Sequence, residues 1–211
     1  MKHFLTFFLV GMIGLLSVNM SYSQAVNDRA VVPVSVTLNS ILRLNIESGG
    51  NVEFNFNTLE QYQNGINGLG SDDQYSTQIS VASSVNWELD FGAEDGSLIS
   101  TDDTSSTGGS MALDYILYQV TLTGSGDPGN YFIYSSTGES GPQALHQFGS
   151  GAPIIQNDGT NAGDVNKNAF RIDWACGVPT SVEGNSAGNL MGSALTGGRY
   201  STNVFFVLQP E

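Results

Sequence analysis

Apolar and polar residues alternate along several short segments of the chain, with a period of two. Residues 32–38, 42–46 and 52–56 show this alternation most clearly in the first part of the sequence. A period of two places every apolar side chain on one face of a β-strand, whereas a helix would need a period of 3.6. These three segments are therefore predicted to be half-buried strands. Residues 47–51 are rich in turn formers, so they predict a hairpin between the second and third strands.

The same pattern continues towards the C-terminus and indicates an all-β protein. The further predicted strands are residues 75–81, 87–91, 113–122, 170–174 and 200–208, and residues 131–134 and 152–155 are two short candidates in a segment where the pattern is weaker. The segments between them are rich in glycine, asparagine, serine and aspartate, and none predicts an amphipathic helix longer than a turn or two. About eight or nine short strands separated by such loops predict an antiparallel β-sandwich, immunoglobulin-like or jelly-roll-like.

The last predicted strand is apolar on both of its faces. One face carries Tyr200, Thr202, Val204, Phe206 and Leu208. Phe205 and Val207 make the opposite face apolar as well, and a strand of this kind is typical of a position that is covered on both sides. The sequence therefore predicts neighbours for this strand, either from its own chain or from another copy.

The first 23 residues have the pattern of a secretory signal peptide. An apolar run at residues 4–18 is followed by small residues at 21–23, which suit the site that signal peptidase cuts. Cleavage is predicted after Ser23, with cleavage after Ala25 as the close alternative. The run is short and N-terminal, and no second long apolar run follows it, so no membrane insertion is expected.

Secretion and the strand pattern together predict the organisation of the chain. Residues 1–23 are the signal peptide, residues 24–39 form an N-terminal strand, and residues 40–211 form one β-sandwich domain. The protein is therefore expected outside the cell, on a cell-surface appendage or in a matrix.

The chain is strongly acidic and has one cysteine. Its 20 acidic residues against 6 lysines and arginines give a formal net charge of −14. Nucleic acids and anionic membrane surfaces would be repelled, so neither is an expected partner. Cys176 has no second cysteine to pair with in the chain. Stability outside the cell must therefore come from the core or from assembly.

Few residues offer enzyme chemistry. His146 is the single histidine after the signal peptide, and no Gly-x-Ser-x-Gly motif accompanies it. Cys176 lies in an apolar stretch and is predicted to be a buried hydrophobic residue rather than a nucleophile. Adjacent carboxylates occur at 72–73, 94–95 and 102–103, in polar loops where solvated acids are expected. The protein is predicted not to be an enzyme, and no catalytic residue is assigned.

One short run superficially resembles the start of a calcium-binding loop. Asp164, Asn166 and Asn168 occupy alternating positions, as ligands of such loops do. However, Ala169 stands where the loop needs a glycine, and Ala175 stands where it needs a bidentate acid. No cofactor and no metal ligand are therefore assigned, and calcium held by the acidic loops is the one option left open.

Aromatic residues could stack on sugar rings. Trp87 and Trp174 lie on the apolar faces of predicted strands, where burial in the core is expected. Tyr62, Tyr131 and Tyr134 are also available, and the tyrosines near the variable middle segment, Tyr131 and Tyr134, are better candidates than the tryptophans for contact with an extracellular polysaccharide.

The C-terminal strand resembles a known kind of subunit. Gly198 is the fourteenth residue from the C-terminus, and Tyr200 with an alternating strand follows it almost to the end of the chain. This arrangement resembles the closing strand of bacterial fimbrial (pilin-like) subunits and of spore-coat-type β-sandwich proteins. The chain departs from many pilins because it has no cysteine pair and carries Pro210 where they have an aromatic residue. The resemblance implies a secreted β-sandwich that associates with itself into a homopolymer.

The N-terminal strand looks like the donor strand of such subunits. Its apolar face consists of Val32, Val34, Val36 and Leu38, and Pro33 restricts it to an edge or to a position supplied from outside a sheet. The expected function is that of a structural subunit of an extracellular filament, fimbria or matrix, assembled by strand complementation. The alternative is a monomeric module that binds glycans or another ligand through the loops at 92–110 and 124–168. The sequence leaves open whether residues 32–38 pair within one chain or between copies.

Overall fold

The structure is a computed structural model that describes residues 32–70, 73–102, 109–134, 141–179, 188–193 and 195–211. The predicted signal peptide and residues 24–31 of the predicted N-terminal strand lie outside the described residues. The chain divides into two compact units, Met1–Leu38 and Asn39–Glu211. All of the β-structure described below belongs to the second unit.

The all-β prediction is confirmed, with more strands than the sequence indicated. The described residues form thirteen strands: β1 Leu42–Ser48, β2 Ile66–Asn67, β3 Ser76–Ser83, β4 Trp87–Ala93, β5 Ser97–Ser100, β6 Ser110–Ala112, β7 Ile116–Leu122, β8 Tyr131–Ile133, β9 Gln143–Ala144, β10 Ile155–Asn157, β11 Gly163–Cys176, β12 Tyr200–Ser201 and β13 Val204–Pro210. One short α-helix, α1, spans Leu59–Asn64. Three single 3-10 turns, Asp73–Tyr75, Leu113–Tyr115 and Pro128–Asn130, complete the regular structure of these ranges. None of the helices in the described ranges is long and apolar enough to cross a membrane.

The strands form three antiparallel sheets. The large sheet has the order β1-β3-β11-β7-β9, with β2 added beside β11. The second sheet has the order β13-β4-β10-β8, and the small sheet has the order β12-β5-β6. The strands β1 and β13 are therefore edge strands of the two larger sheets, and they lie against each other. Most pairings join strands that are distant in sequence, as in a β-sandwich.

The core lies between the inward faces of the two larger sheets. Its largest fully buried side chains include Trp87 and Phe91 of β4, Tyr118 of β7 and Phe170 of β11. Burial alternates over residues 87–91 of β4 as the period of two predicts, and its last two residues are both buried. Trp87 and Trp174 are both buried, which confirms their predicted burial in the core.

A buried asparagine side chain completes the hydrogen bonding at the start of β4. The amide of Asn161 accepts a hydrogen bond from the backbone N–H of Trp87 at 3.0 Å and donates one to the Trp87 carbonyl at 2.7 Å. The indole N–H of Trp87 in turn donates to the backbone carbonyl of Asn161 at 3.0 Å. Asn161 has no exposed surface. It therefore satisfies backbone groups that would otherwise be buried without partners.

A buried ion pair fastens the segment before β3 to the large sheet. The carboxylate of Asp173, which has no exposed surface, lies 2.8 Å from Nε of Arg171. The backbone N–H of Gly70 donates to the same carboxylate at 3.1 Å, and the Arg171 guanidinium donates to the Gly70 carbonyl at 3.3 Å. The carboxylate is thus both paired and hydrogen-bonded, as a buried charge must be.

The first part of the chain differs from its prediction. Residues 32–38 form no strand, and the side chains of Val32, Val34, Val36 and Leu38 are 78% to 88% exposed. Residues 52–56 form no strand either, and β1 pairs with β3 instead of closing the predicted hairpin. The backbone at Gly49 adopts a positive φ of 68°, and a Cβ there would lie 1.9 Å from the carbonyl oxygen of Ser76. The chain therefore turns at Gly49 towards β3 rather than back along β1.

The C-terminal strand and the long loops also differ from prediction. Residues 200–208 form two strands in different sheets, β12 and β13, rather than one. Phe205 and Val207 are exposed, so β13 is covered on one face only. The predicted loop at 92–110 contains β5, and the predicted loop ending at Asn168 contains the first part of β11. Their serine-rich and asparagine-rich sequences conceal these strands because polar residues are poor strand formers when taken alone.

Candidate functional site

A deep groove opens into the core of the sandwich. Its volume is about 970 Å³. Side chains of the core form its floor: Met111, Ile116, Leu145, Trp174, Cys176 and Leu190. Each of them is less than a tenth exposed. The groove therefore reaches core side chains that are already largely buried, and none of these floor residues is charged.

Residues 51–57 form the first wall of the groove. The side chains of Val52, Phe54 and Phe56 alternate with exposed polar residues and pack against the core. Phe54 stacks on Tyr75, with their ring centroids 4.9 Å apart and nearly parallel planes. This wall has the side-chain alternation of a strand, but no strand pairs with it in the part of the chain that the structure describes. The Asn57 N–H and the Asn55 carbonyl bond to the side chains of Gln61 and Asn57. The other backbone groups of this wall have no hydrogen-bond partner among the described residues, so another strand could pair with them.

The second wall runs from Gly198 to Phe206. The Tyr200 hydroxyl donates to the Thr196 carbonyl at 2.8 Å, and the backbone N–H of Arg199 donates to the Asp102 carboxylate at 2.9 Å. These bonds hold the wall in place ahead of β13. Among the described strands, β13 pairs with β4 alone. Its other edge has no strand partner there, and Val204 and Phe206 of β13 line the groove.

The edge strands of both larger sheets contribute to the lining of the groove. Ile46 of β1 and Phe206 of β13 line it, and the two strands lie against each other. Leu42, Leu44 and Leu208 of the same strands pack on the core and do not line the groove. Leu59 and Tyr62 of α1 line it as well, as do Leu190, Met191 and Leu195.

The polar groups beside the floor are satisfied within the fold. The indole N–H of Trp174 donates to the Thr77 hydroxyl at 3.0 Å, and that hydroxyl donates to the Gly49 carbonyl at 2.7 Å. Burial raises the pKa of the Cys176 thiol to about 12. Cys176 is therefore a protonated thiol at neutral pH, which agrees with its prediction as a buried hydrophobic residue.

Four of the five residues predicted for the C-terminal strand line the groove. These are Tyr200, Thr202, Val204 and Phe206; Leu208 does not line it. Residues 52–56 were predicted as a hairpin strand, and the role of residues 51–57 as a groove wall was missed. Their alternation was visible in the sequence, but it cannot tell a paired strand from an unpaired one.

The residues considered for calcium have other roles. Asp164 accepts a hydrogen bond from the backbone N–H of Lys167 at 3.0 Å, and the buried Asn168 side chain accepts one from the Tyr131 hydroxyl at 2.5 Å. The Lys167 ammonium donates to the carbonyls of Thr160 and Ala162 at 2.9 and 2.8 Å. A lysine thus occupies the carbonyl-lined position of this loop. In the described ranges no three histidine, cysteine or acidic residues form a metal-binding group.

The other candidates are scattered. Tyr131 is buried, so its ring is not free to stack on a sugar, whereas Tyr62 lines the groove. Of the adjacent carboxylates, the Asp72 and Asp103 members lie outside the described residues. Glu94 is exposed and accepts a hydrogen bond from Asn203 at 2.6 Å. Tyr131 and Glu94 do not line the groove.

His146 is a titratable group beside the core. Its ring lies near Phe91 and Tyr118, and Nε2 is buried with no hydrogen-bond partner among the described residues. Burial lowers the pKa of His146 below its usual value, and backbone hydrogen bonds with Phe91 and Ala144 only partly offset this effect. Protonation is therefore less favourable in the folded state than in the unfolded chain.

This histidine predicts a loss of stability in mild acid. The unfolded chain binds a proton at His146 near pH 6.5, before the folded protein does, so the stability falls as the pH decreases through that value. The urea midpoint should be lower at pH 5.5 than at pH 7.5. His146→Gln does not titrate in this range and should flatten the dependence. An equal slope for the wild type and the variant would show that His146 is not the group responsible.

Comparison with known proteins adds no relative. The chain matches no protein-family model, and a search of curated proteins returns no match either. The resemblance of the C-terminal strand to fimbrial subunits therefore stays a prediction. The function of the groove has to be inferred from its geometry and chemistry.

Proposed function

We propose that this protein is a secreted structural subunit that assembles into an extracellular filament, fimbria or matrix by strand complementation. Residues 32–38 of one copy would insert into the groove of the next copy. The observation that carries this proposal is a groove floored by core side chains and flanked by an unpaired extended wall and an edge strand.

The groove has the properties of a site for an added strand. Its floor is apolar, so the exposed apolar side chains of an inserted segment would leave water there. Residues 51–57 and β13 offer backbone groups without strand partners on the groove side, as far as the described residues show. An added strand gains affinity from main-chain hydrogen bonds and specificity from alternate side chains that enter apolar positions.

Residues 32–38 have the matching properties. They form no secondary structure, and Val32, Val34, Val36 and Leu38 project from every second position and are exposed. Like the wall at 51–57, this segment is seven residues long. Burial of its four aliphatic side chains would contribute on the order of 6 to 10 kcal/mol before the cost of ordering the segment.

The charge of the chain is compatible with this mode of contact. A net charge of −14 makes whole copies repel one another. Residues 32–38 contain no charged side chain, however, and neither does the groove floor. The proposed contact therefore places no like charges together in the buried region.

Charges introduced on the apolar face of the segment test the proposal. The chain starting at Gln24 would carry Val34→Asp and Val36→Asp, and its assembly would be followed by size-exclusion chromatography and negative-stain microscopy. We expect filaments from the wild type and monomers from the variant, with assembly weakened by at least about a hundredfold, because two carboxylates would be buried on the apolar floor. Circular dichroism would verify that the variant is folded.

The matched control adds the same charge to the other face. Ser35→Asp with Thr37→Asp should assemble nearly as the wild type does, since an inserted strand directs these positions away from the floor. Filaments that survive Val34→Asp with Val36→Asp would exclude strand complementation. A wild type that stays monomeric and binds polysaccharide would instead favour the alternative, a glycan-binding module, for which Tyr62 and Tyr200 line the groove.

A further inference from the structure

Residues 143–148, which we call the crossing segment, connect the two larger sheets at the floor of the groove. The segment begins with β9, which lies at the edge of the large sheet beside β7. Beyond β9 it is attached to β4 of the second sheet: the Ala93 N–H donates to the His146 carbonyl and the Phe148 N–H donates to the Ala93 carbonyl, both at 2.8 Å. Between these attachments lies Leu145, which is 3% exposed and forms part of the floor. The position of the crossing segment therefore contributes to the shape of the floor.

The ring of His146 lies inside the fold, in the middle of the crossing segment. Its centroid is 6.3 Å from that of Phe91 in β4 and 6.5 Å from that of Tyr118 in β7. Phe91 in turn packs against Trp174 and Phe206, which line the groove. The imidazole is therefore connected to the groove in two ways, through the backbone of the preceding floor residue and through the Phe91 ring.

A short turn, residues 147–151, covers the imidazole. The Ser150 N–H donates to the Gln147 carbonyl at 3.1 Å, which closes the turn. Gly151 lies so close to Nε2 of His146 that a Cβ there would overlap this atom. Nε2 is buried and has no hydrogen-bond partner among the described residues. A proton added to Nε2 would therefore be buried without an acceptor, which is unfavourable.

The groups around the imidazole do not offset this cost in the described part of the chain. The titratable side chains on the neighbouring elements are Glu88, Asp90, Glu94 and Asp95 on β4 and the loop after it, Asp114 and Tyr115 on the 3-10 turn that packs against β9, and Tyr118 on β7. Glu88 and Asp90 alternate with the buried residues of β4 and lie on its other face, and Glu94 is exposed. Burial raises the pKa of Tyr118, so its hydroxyl stays uncharged. The pKa of the imidazole is lowered by burial and raised only by backbone hydrogen bonds, with no contribution from these acids.

We propose that His146 and the turn at 147–151 form a switch that holds the groove in its strand-binding shape at neutral pH and releases it in mild acid. The neutral ring stays beneath the turn. A protonated ring has to reach water, so it displaces the turn and draws Leu145 out of the floor. This inference rests on the proposed function and adds a regulation of the same groove. Because burial lowers the pKa of His146, the release is expected below the usual value of about 6.5.

Binding of the donor strand is measured on a chain that supplies no strand of its own. We call residues 24–211 with Val34→Asp and Val36→Asp the acceptor chain. A labelled peptide of residues 24–38 should bind it at pH 7.5 and bind about fivefold more weakly at pH 5.0, since one proton opposes binding by at most about tenfold per pH unit. The same chain with His146→Gln should change by less than about twofold. Circular dichroism at both pH values verifies that the chains are folded.

NMR of the acceptor chain reads the switch without any donor strand. His146 is its single histidine, and its two methionines are Met111 and Met191, both of which line the groove. The histidine Hε1 signal and the methionine Cε methyl signals would be followed from pH 7.5 to pH 5.0. We expect the histidine to titrate below pH 6.5. The signal of Met111, a buried floor residue, should move with the same midpoint.

Gly151→Ala tests the cover at neutral pH. Its Cβ would overlap Nε2 of His146, so the imidazole has to leave its position. In the acceptor chain this variant should bind the peptide about fivefold more weakly at pH 7.5, with little further weakening at pH 5.0. Gly141→Ala is the matched control, because a Cβ at Gly141 meets nothing within 4 Å. It should bind the peptide as the acceptor chain does.

Three results would overturn the switch. They are a Met111 signal that does not follow the histidine titration, a histidine that titrates at its usual value, and a Gly151→Ala variant that binds like Gly141→Ala. An equal pH dependence of binding with and without His146→Gln would overturn it as well. Failure of the peptide to bind the acceptor chain at pH 7.5 would overturn the proposed function, and the NMR titration would still decide whether the floor responds to His146.

Discussion

Asn161→Asp is expected to lower the free energy of unfolding by about 4 kcal/mol at pH 7.5. The substitution keeps the shape of the side chain but replaces an N–H donor with a carboxylate oxygen. That oxygen would face the Trp87 carbonyl at the position where Nδ2 now donates at 2.7 Å. Because Asn161 has no exposed surface, the new charge would be buried beside an acceptor with no water to screen it. Urea denaturation followed by tryptophan fluorescence measures the change.

The pH dependence of this variant distinguishes a buried charge from simple loss of a hydrogen bond. Burial would raise the pKa of the introduced carboxyl above its unfolded value of about 3.9. The loss in free energy of unfolding relative to the wild type is then largest at a pH well above the raised pKa. It decreases as the pH falls through that pKa. Asn39→Asp, at an exposed position, is the matched control and should change the stability by less than about 0.5 kcal/mol. A deficit that does not depend on pH would contradict the buried-charge explanation.

Phe91→Ala is expected to lower the free energy of unfolding by about 4 kcal/mol. Phe91 of β4 is 2% exposed and lies at the centre of an aromatic cluster that joins the two larger sheets. Its ring centroid is 4.7 Å from that of Tyr118, 5.6 Å from that of Trp174 and 5.2 Å from that of Phe206. The surrounding rings come from three strands and cannot collapse into the space, so the cavity remains.

Phe132→Ala is the control for the loss of the same atoms without a cavity. Phe132 of β8 is exposed, and its removal should cost less than about 1 kcal/mol. Because Trp174 and Phe206 also line the groove, Phe91→Ala should weaken binding of the 24–38 peptide as well as stability. Equal stability losses for the two variants would show that the aromatic cluster is not the centre of the core.

Several elements were predicted from local pattern alone. The alternation at Leu42, Leu44 and Ile46 predicted β1, and that at Trp87, Leu89 and Phe91 predicted β4. In these segments one face meets a core and the other meets solvent, so the side-chain pattern reports the environment directly. The burial of Trp174 and Cys176 was predicted for the same reason.

Other elements could not be predicted because their environment is set by distant residues. Residues 52–56 alternate as a strand does, yet they lie beside the groove without a strand partner among the described residues. Residues 163–168 are mostly polar, yet they begin β11, where Gly163 pairs with Ser83 and Asn168 with Val81 of β3, with a register shift between them. The two faces of β13 look equally apolar, but only the face with Val204, Phe206 and Leu208 is covered. In each case the side-chain pattern can be seen in a short stretch of sequence, whereas the strands that pair with or cover the segment come from distant parts of the chain.

The sequence by itself determined that the protein is all-β, that its strands have apolar faces, and that its N-terminal segment at 32–38 is apolar on alternate positions. Only the tertiary structure decided that β1 and β13 are edge strands that lie against each other beside the groove. The physical reason is that backbone hydrogen bonds between strands are made by groups common to every residue, so they leave no mark on the sequence. The groove arises from that pairing. Its floor consists of ordinary core residues. If the groove accepts a strand from another copy, as proposed, this function would depend on unpaired strand edges rather than on any particular side chain.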